Sequence, residues 1–187
     1  MVESRLGLEG EVLSILQNID EGNDFLLSGG AGSGKTYSLL KVIQQLLLES
    51  PLSKIICITY TNSAAREIEG RFSSTSLNVS TIHDFLWDNI KSFQKELRSS
   101  LLVLANSEEV RAIKSPDGGF DTNHFDQLAI QYKEYSRIAE GIISHDEILV
   151  LAHKMYQLYP KLRDITSSRY QYIFIDEYQD SSPYVIE

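Results

Sequence analysis

Apolar residues recur along this chain with two periods, and the alternation between them predicts its architecture. Leu8, Val12, Leu13, Ile15, Leu16 and Ile19 fall at helical spacing, and Gly22-Asn23 closes the pattern with a turn. Phe25-Leu26-Leu27-Ser28 then reads as a short strand running into glycines, and Leu39, Leu40, Val42, Ile43, Leu46 and Leu47 predict a helix from Lys35 to about Glu49, stopped by Ser50-Pro51. Lys54 to Ile58 is apolar and β-branched, as suits a strand buried on both faces, and Asn62 can cap a helix running to about Phe72. Leu77-Asn78-Val79-Ser80 is a weaker strand before a helix from Thr81. A helix over about Asp146 to Leu158 ends near Pro160, and Tyr172-Ile173-Phe174-Ile175 restores the buried-strand pattern. Strands alternating with helices in this way predict an α/β fold with a parallel sheet covered on both sides.

Between about Lys91 and Glu140 the strand signals vanish. This segment reads as helices around a polar loop, Ser115-Pro116-Asp117-Gly118-Gly119, that faces water. The expected organisation is a discontinuous core, 1–90 with 141–187, interrupted by a helical insertion over 91–140. Tyr132, Tyr135, Tyr156 and Tyr159 are spaced for packing in a helical core.

Composition narrows the functional classes. Seventeen basic and 26 acidic residues leave a formal charge of −9, which argues against a broad basic surface for duplex DNA but permits a local groove. Cys57, the single cysteine, lies in the run Ile55-Ile56-Cys57-Ile58, so it reads as a buried small hydrophobe and a disulfide framework is excluded. With no basic start followed by an apolar stretch, and no run of membrane-spanning length, a cytoplasmic chain without membrane contact is expected. His145, Asp146 and His153 share one helical region, but a separation of eight positions puts the histidines too far apart for the i, i+4 pair of a zinc helix.

The chemistry concentrates where strands end. Gly29-Gly30-Ala31-Gly32-Ser33-Gly34-Lys35-Thr36 fits G-x-x-x-x-G-K-[ST], in which glycines let backbone N–H groups curl around phosphate oxygens at a helix N-terminus. Lys35 is placed to reach the β and γ phosphates of ATP, Thr36 to put its hydroxyl on Mg²⁺, and Tyr37 is counted with the nucleotide-binding residues. Asp176 and Glu177 directly follow four apolar residues, so both carboxylates are expected at the carboxyl end of a strand, where ligands bind in open α/β sheets. Asp176 then holds the magnesium ion and Glu177 orients and deprotonates the attacking water. Thr59-Tyr60-Thr61-Asn62 and Thr81-Ile82-His83 follow the second and third strands. Their residue types suit turns and helix caps, and equally suit a single nucleic-acid strand, by stacking on bases and bonding phosphates.

The order of these motifs resembles the ATPase core of superfamily 1 helicases of the UvrD/Rep kind. The matching pieces are Gly30 to Thr36, Thr59 to Ile68, Ser80-Thr81-Ile82-His83 and Asp176-Glu177-Tyr178-Gln179-Asp180, joined by Ile143 to Leu149 where the chain re-enters its first motor domain. The resemblance implies a first RecA-like domain with a helical insertion, belonging to a DNA-dependent ATPase that walks along single-stranded DNA. It further implies that Thr59, Tyr60, Thr61, Asn62, Thr81 and His83 line the DNA track and that Gln179 senses the γ-phosphate. Two departures stand out: Leu8-Glu9-Gly10-Glu11-Val12 lacks the family's adenine-reading glutamine, and the second motor domain, which brings arginines to the γ-phosphate, is missing from this chain. Since arginine fingers supply about 10³ to 10⁵ in rate elsewhere, the expectation is Mg-ATP binding with negligible hydrolysis by this chain alone. The contrasting expectation is a nucleotide-switched interaction module that does not translocate.

Overall fold

The computed structural model describes residues 5–28, 34–72, 74–107, 113, 115 and 119–176. They form two compact units, 1–80 with 170–176 and 81–169.

In the first unit, α1 (Gly10–Asp20) packs on α2 (Lys35–Glu49), and the sheet has the order β2-β1-β5, from β1 (Ile55–Thr59), β2 (Leu77–Thr81) and β5 (Tyr172–Ile175). The helix α3 (Asn62–Glu69) makes the crossover from β1 to β2. Every residue of β1 is buried, which explains its unbroken apolar run. It pairs in parallel with β5, Ile55 opposite Tyr172 and Ile58 opposite Ile175. One apolar cluster joins Val12, Ile15 and Leu16 of α1 to Leu40, Val42, Ile43 and Leu46 of α2, and to Ile55, Cys57, Ile68 and Phe174. Arg5 closes the far end: its guanidinium donates to Glu49 at 2.7 Å and to Asp20 at 2.6 Å, tying the last turns of both helices together.

Phe25 to Ser28 departs from expectation. The apolar alternation is there, with Phe25 and Leu27 half-buried against the core and Leu26 66% exposed, but among the described residues no ladder joins the segment to a neighbour. Apolar residues set which side faces the core. A strand also needs a partner backbone, and sequence periodicity does not report one.

The second unit is built around α6 (His145–Leu158), which packs on α4 (Ile82–Ile90), α5 (Gln94–Ala105) and α7 (Lys161–Arg169). Ile148, Leu151, Ala152 and Met155 form its buried stripe. Its start is set by a capping box: the backbone N–H and hydroxyl of Ser144 both donate to the Glu147 carboxylate, at 2.8 and 2.5 Å. The helix α7 is an addition to the expected elements. Its apolar content is low, and it is held by polar contacts, Tyr156 with Thr166 at 3.0 Å and Arg169 donating to Asn89 at 2.9 Å.

Among the described residues, the expectation of helices throughout 91–140 is met by α5 alone. After it the described residues are turns, a two-residue strand β3 (Gln131–Tyr132) parallel to β4 (Ile142–Ile143), and a 3₁₀ turn at Ile138–Glu140. Polar side chains of α5 pair with the backbone that follows. Gln94 accepts from the Ile130 N–H at 2.8 Å and donates to its carbonyl at 3.2 Å, and Asn106 does the same for Phe120, at 2.8 Å each way. Arg98 donates to the Leu128 carbonyl at 3.2 Å. Tyr132 and Tyr135 accordingly lie outside any helix. Tyr132 is half-buried, whereas Tyr135 is 49% exposed, so the core role expected for it does not hold.

Candidate nucleotide site

Gly34 opens α2 with φ +86° and nothing within 4 Å of the place a Cβ would occupy. Glycine is needed there for its left-handed backbone, since space is not limiting. The turn it makes sets Lys35 and Thr36 in the first turn of α2, both half-buried, while Tyr37 stands 47% exposed with Lys41 over its ring at 5.7 Å. At the end of β5, the Asp176 N–H donates to the Ile58 carbonyl at 2.8 Å, which carries the β1–β5 ladder one residue beyond the strand and fixes the backbone from which the carboxylate projects.

The Thr36 hydroxyl lies 3.4 Å from both oxygens of the Asp176 carboxylate, across 140 residues of sequence. At that length the hydrogen bonding is weak. A hydroxyl and a carboxylate facing one another near this spacing are instead the hard oxygen donors that Mg²⁺ takes, usually one or two protein ligands with waters and substrate phosphates completing its shell. The two residues therefore fit the metal that the sequence pattern implies.

Gly29 to Ser33, Glu177 and Gln179 lie outside the described residues. Cys57, of the apolar cluster, is wholly buried and its thiol is pushed up to about 12, by burial first and the Asp176 charge second, so it is inert. Glu11, in the first turn of α1, accepts a hydrogen bond from Ser38 of α2, a buried hydroxyl just beyond the phosphate-loop turn. Nothing in the sequence pattern pointed to that link, because residues 27 positions apart on two helices share no period.

The residues read as a possible nucleic-acid track are distributed over both units. Thr59, Tyr60, Thr61 and Asn62 follow β1 in the first. Thr59 is 1% exposed and its hydroxyl donates to the Thr61 carbonyl at 3.1 Å, while the Thr61 hydroxyl caps α3 by accepting from the Ala64 N–H at 3.2 Å. Asn62 is exposed and Tyr60 half-buried. In the second unit, Thr81 is buried and caps α4, bonding Asp84 through both its carboxylate at 2.8 Å and its N–H at 3.2 Å. His83 stands 4.8 Å from the ring of His145, which in turn meets the Tyr132 hydroxyl at 3.0 Å. Burial and then the neighbouring His145 lower the His83 pKa against the opposing pull of Asp84 and Asp146. Of the six residues, Thr59, Thr61 and Thr81 thus spend their hydroxyls on the local backbone and caps.

A family model described as an AAA domain matches residues 14–186. The chain belongs to that family. Among curated relatives, the Gabija protein GajB of Bacillus cereus strain VD045 is 31% identical, the match covering 88% of this chain and 33% of the relative. GajB of Bacillus cereus strain HuB5-5 is 26% identical, over 92% of this chain and 38% of the relative. The ATP-dependent DNA helicase PcrA of Bacillus subtilis is 24% identical, over 84% and 27%. The resemblance to DNA helicases is borne out by PcrA, and the chain spans only about a quarter to two fifths of the length of these three relatives. The phosphate-loop fold expected from the motifs agrees with the family and with the parallel pairing of β1 and β5.

Proposed function

We propose that this chain is the ATP-binding half of a DNA-dependent motor: it binds Mg-ATP, and within the complete polypeptide couples hydrolysis to movement along single-stranded DNA. The observation that carries the reading is the meeting of Thr36 and Asp176 within 3.4 Å at the mouth of the α2 N-terminus. The glycine loop with Lys35 would cradle the phosphates and Thr36 and Asp176 would hold the magnesium ion, which neutralises charge building on the β and γ oxygens. Glu177 is assigned to the attacking water and Gln179 to the γ-phosphate, with 1–90 and 141–187 as the RecA-like core and 91–140 as its insertion. The similarity to the ATP-dependent DNA helicase PcrA supports the motor class for this chain; the direct test is binding.

Titration of a fluorescent ATP analogue should show saturable binding that needs Mg²⁺ and falls at least tenfold in Lys35→Ala. Binding that is indifferent to both magnesium and Lys35 would remove the proposal. A second reading, a nucleotide switch without translocation, draws support from the −9 charge and from the committed hydroxyls of Thr59, Thr61 and Thr81. ATP hydrolysis by the complete polypeptide separates the two, because only the motor is stimulated by single-stranded DNA.

A further inference from the structure

Tyr135, expected in the core and found outside it, sits on a bend whose two ends are pinned to one strand. The Lys133 N–H donates to the Ile143 carbonyl at 2.9 Å; Arg137 exchanges backbone bonds with Ile142, at 2.9 and 3.1 Å. Just before the first anchor Tyr132 turns to the Trp87 and His145 rings, with centroids 5.9 and 5.3 Å away, whereas Tyr135, between the anchors, is half exposed. Over its ring lie two cations, the Lys133 ammonium at 5.7 Å and the Arg137 guanidinium at 5.5 Å. An exposed aromatic with two positive charges close to its ring, on backbone already held in place, loses little freedom on meeting a flat ligand.

We infer that Lys133, Tyr135 and Arg137 form a contact for single-stranded nucleic acid, one base stacking on Tyr135 and the adjoining phosphates meeting Lys133 and Arg137. The inference rests on the proposed motor function and adds to its track a site outside the motifs. Charge complementarity selects the occupant: a stacking face alone would serve many ligands, but alternating cation, ring and cation match the alternating phosphate and base of a single strand. Two acids oppose it locally. Glu134 is adjacent in sequence, and Glu140 reaches Arg137 at 3.4 Å with both side chains more than half exposed. An exposed pair of that length contributes little and yields to a phosphate.

The test is fluorescence anisotropy of a labelled short oligothymidylate with this chain and its variants. Tyr135→Ala should weaken binding about tenfold, in line with the usual worth of one stacked base, and Tyr135→Phe should leave it unchanged. Joint replacement of Lys133 and Arg137 by Gln should weaken it and flatten its salt dependence by about 0.7 in log–log slope per lost contact. Glu140→Gln should tighten binding by releasing Arg137, a gain that a purely structural bend would not produce. His83→Ala reports separately on the motor reading. Binding that falls with His83→Ala but not with Tyr135→Ala overturns this site and leaves the motor standing. Wild-type chain that binds no oligothymidylate overturns this site, the motor reading being decided by DNA-stimulated hydrolysis in the complete polypeptide, and equal affinity for duplex of the same sequence, indifferent to Tyr135, overturns the stacking contact.

Discussion

The two units reach order by different means. In the first, apolar side chains position the backbone: β1 is buried along its whole length, helices close over it, and backbone pairs with backbone. In the second, α4, α5 and α6 form an apolar centre, but the chain from 119 to 130 is held by amides and a guanidinium reaching out of α5 and its end. The first arrangement brings Thr36 and Asp176 together across the sheet's edge. The second holds an irregular stretch in place without a ladder, at the cost of depending on a few polar side chains.

That contrast predicts where damage is greatest. Ile43 is wholly buried in the cluster shared by α1, α2 and the sheet, so Ile43→Ala should lower stability by about 2–5 kcal/mol, the range for emptying a core site. Denaturant unfolding would show it, and the same loss should weaken Mg-ATP binding, because α2 carries Lys35 and Thr36. A cost under about 1 kcal/mol would mean that the first unit is not organised by this cluster.

Gln94→Ala probes the other arrangement. It removes the acceptor of the Ile130 N–H and the donor to its carbonyl in one step, leaving both half-enclosed backbone groups to find water. The expected loss is about 1–3 kcal/mol, smaller than for Ile43. Hydrogen exchange should locate it: protection should drop around 128–132 while the first unit is unaffected. Uniform loss of protection across both units would erase the distinction between them.

How much of this was legible in the sequence follows the same division. The helix at Lys35–Glu49 matches its periodic pattern residue for residue, and β1 and β5 fall within a residue of their apolar runs, because burial on a regular element leaves a period. The Thr36–Asp176 pairing was legible through the motif spacing and the rule that strand ends converge on one edge. Phe25 to Ser28 misled because its alternation records only which side is buried. Residues 106–130 had no period to read, since Asn106 and Gln94 bond the backbone by position and are ordinary polar residues in sequence. Tyr135 was misplaced for a related reason: its spacing from Tyr132 suits a helix, and only the β3–β4 pairing shows that the chain bends between them.

The finest probe of the second unit is Glu147, the buried carboxylate at the start of α6. Burial pushes its pKa up, but hydrogen bonds from the Ser144 and Ser136 hydroxyls and from backbone N–H groups outweigh it, so the folded value lies below the ordinary carboxylate range. The sign follows from linkage. A carboxylate that binds its proton less readily when folded adds stability above its unfolded pKa, and that contribution is lost as pH falls through the folded value. Glu147→Gln keeps an oxygen to accept from Ser144 but carries no charge, so at neutral pH it should cost about 1 kcal/mol or less, the scale of one helix cap. Its stability should then change less than the wild type's between neutral and acidic pH, and the two curves should converge once Glu147 is protonated. Parallel curves across that range would mean that the capping box holds α6 through shape alone, and that the second unit's polar staples work without charge.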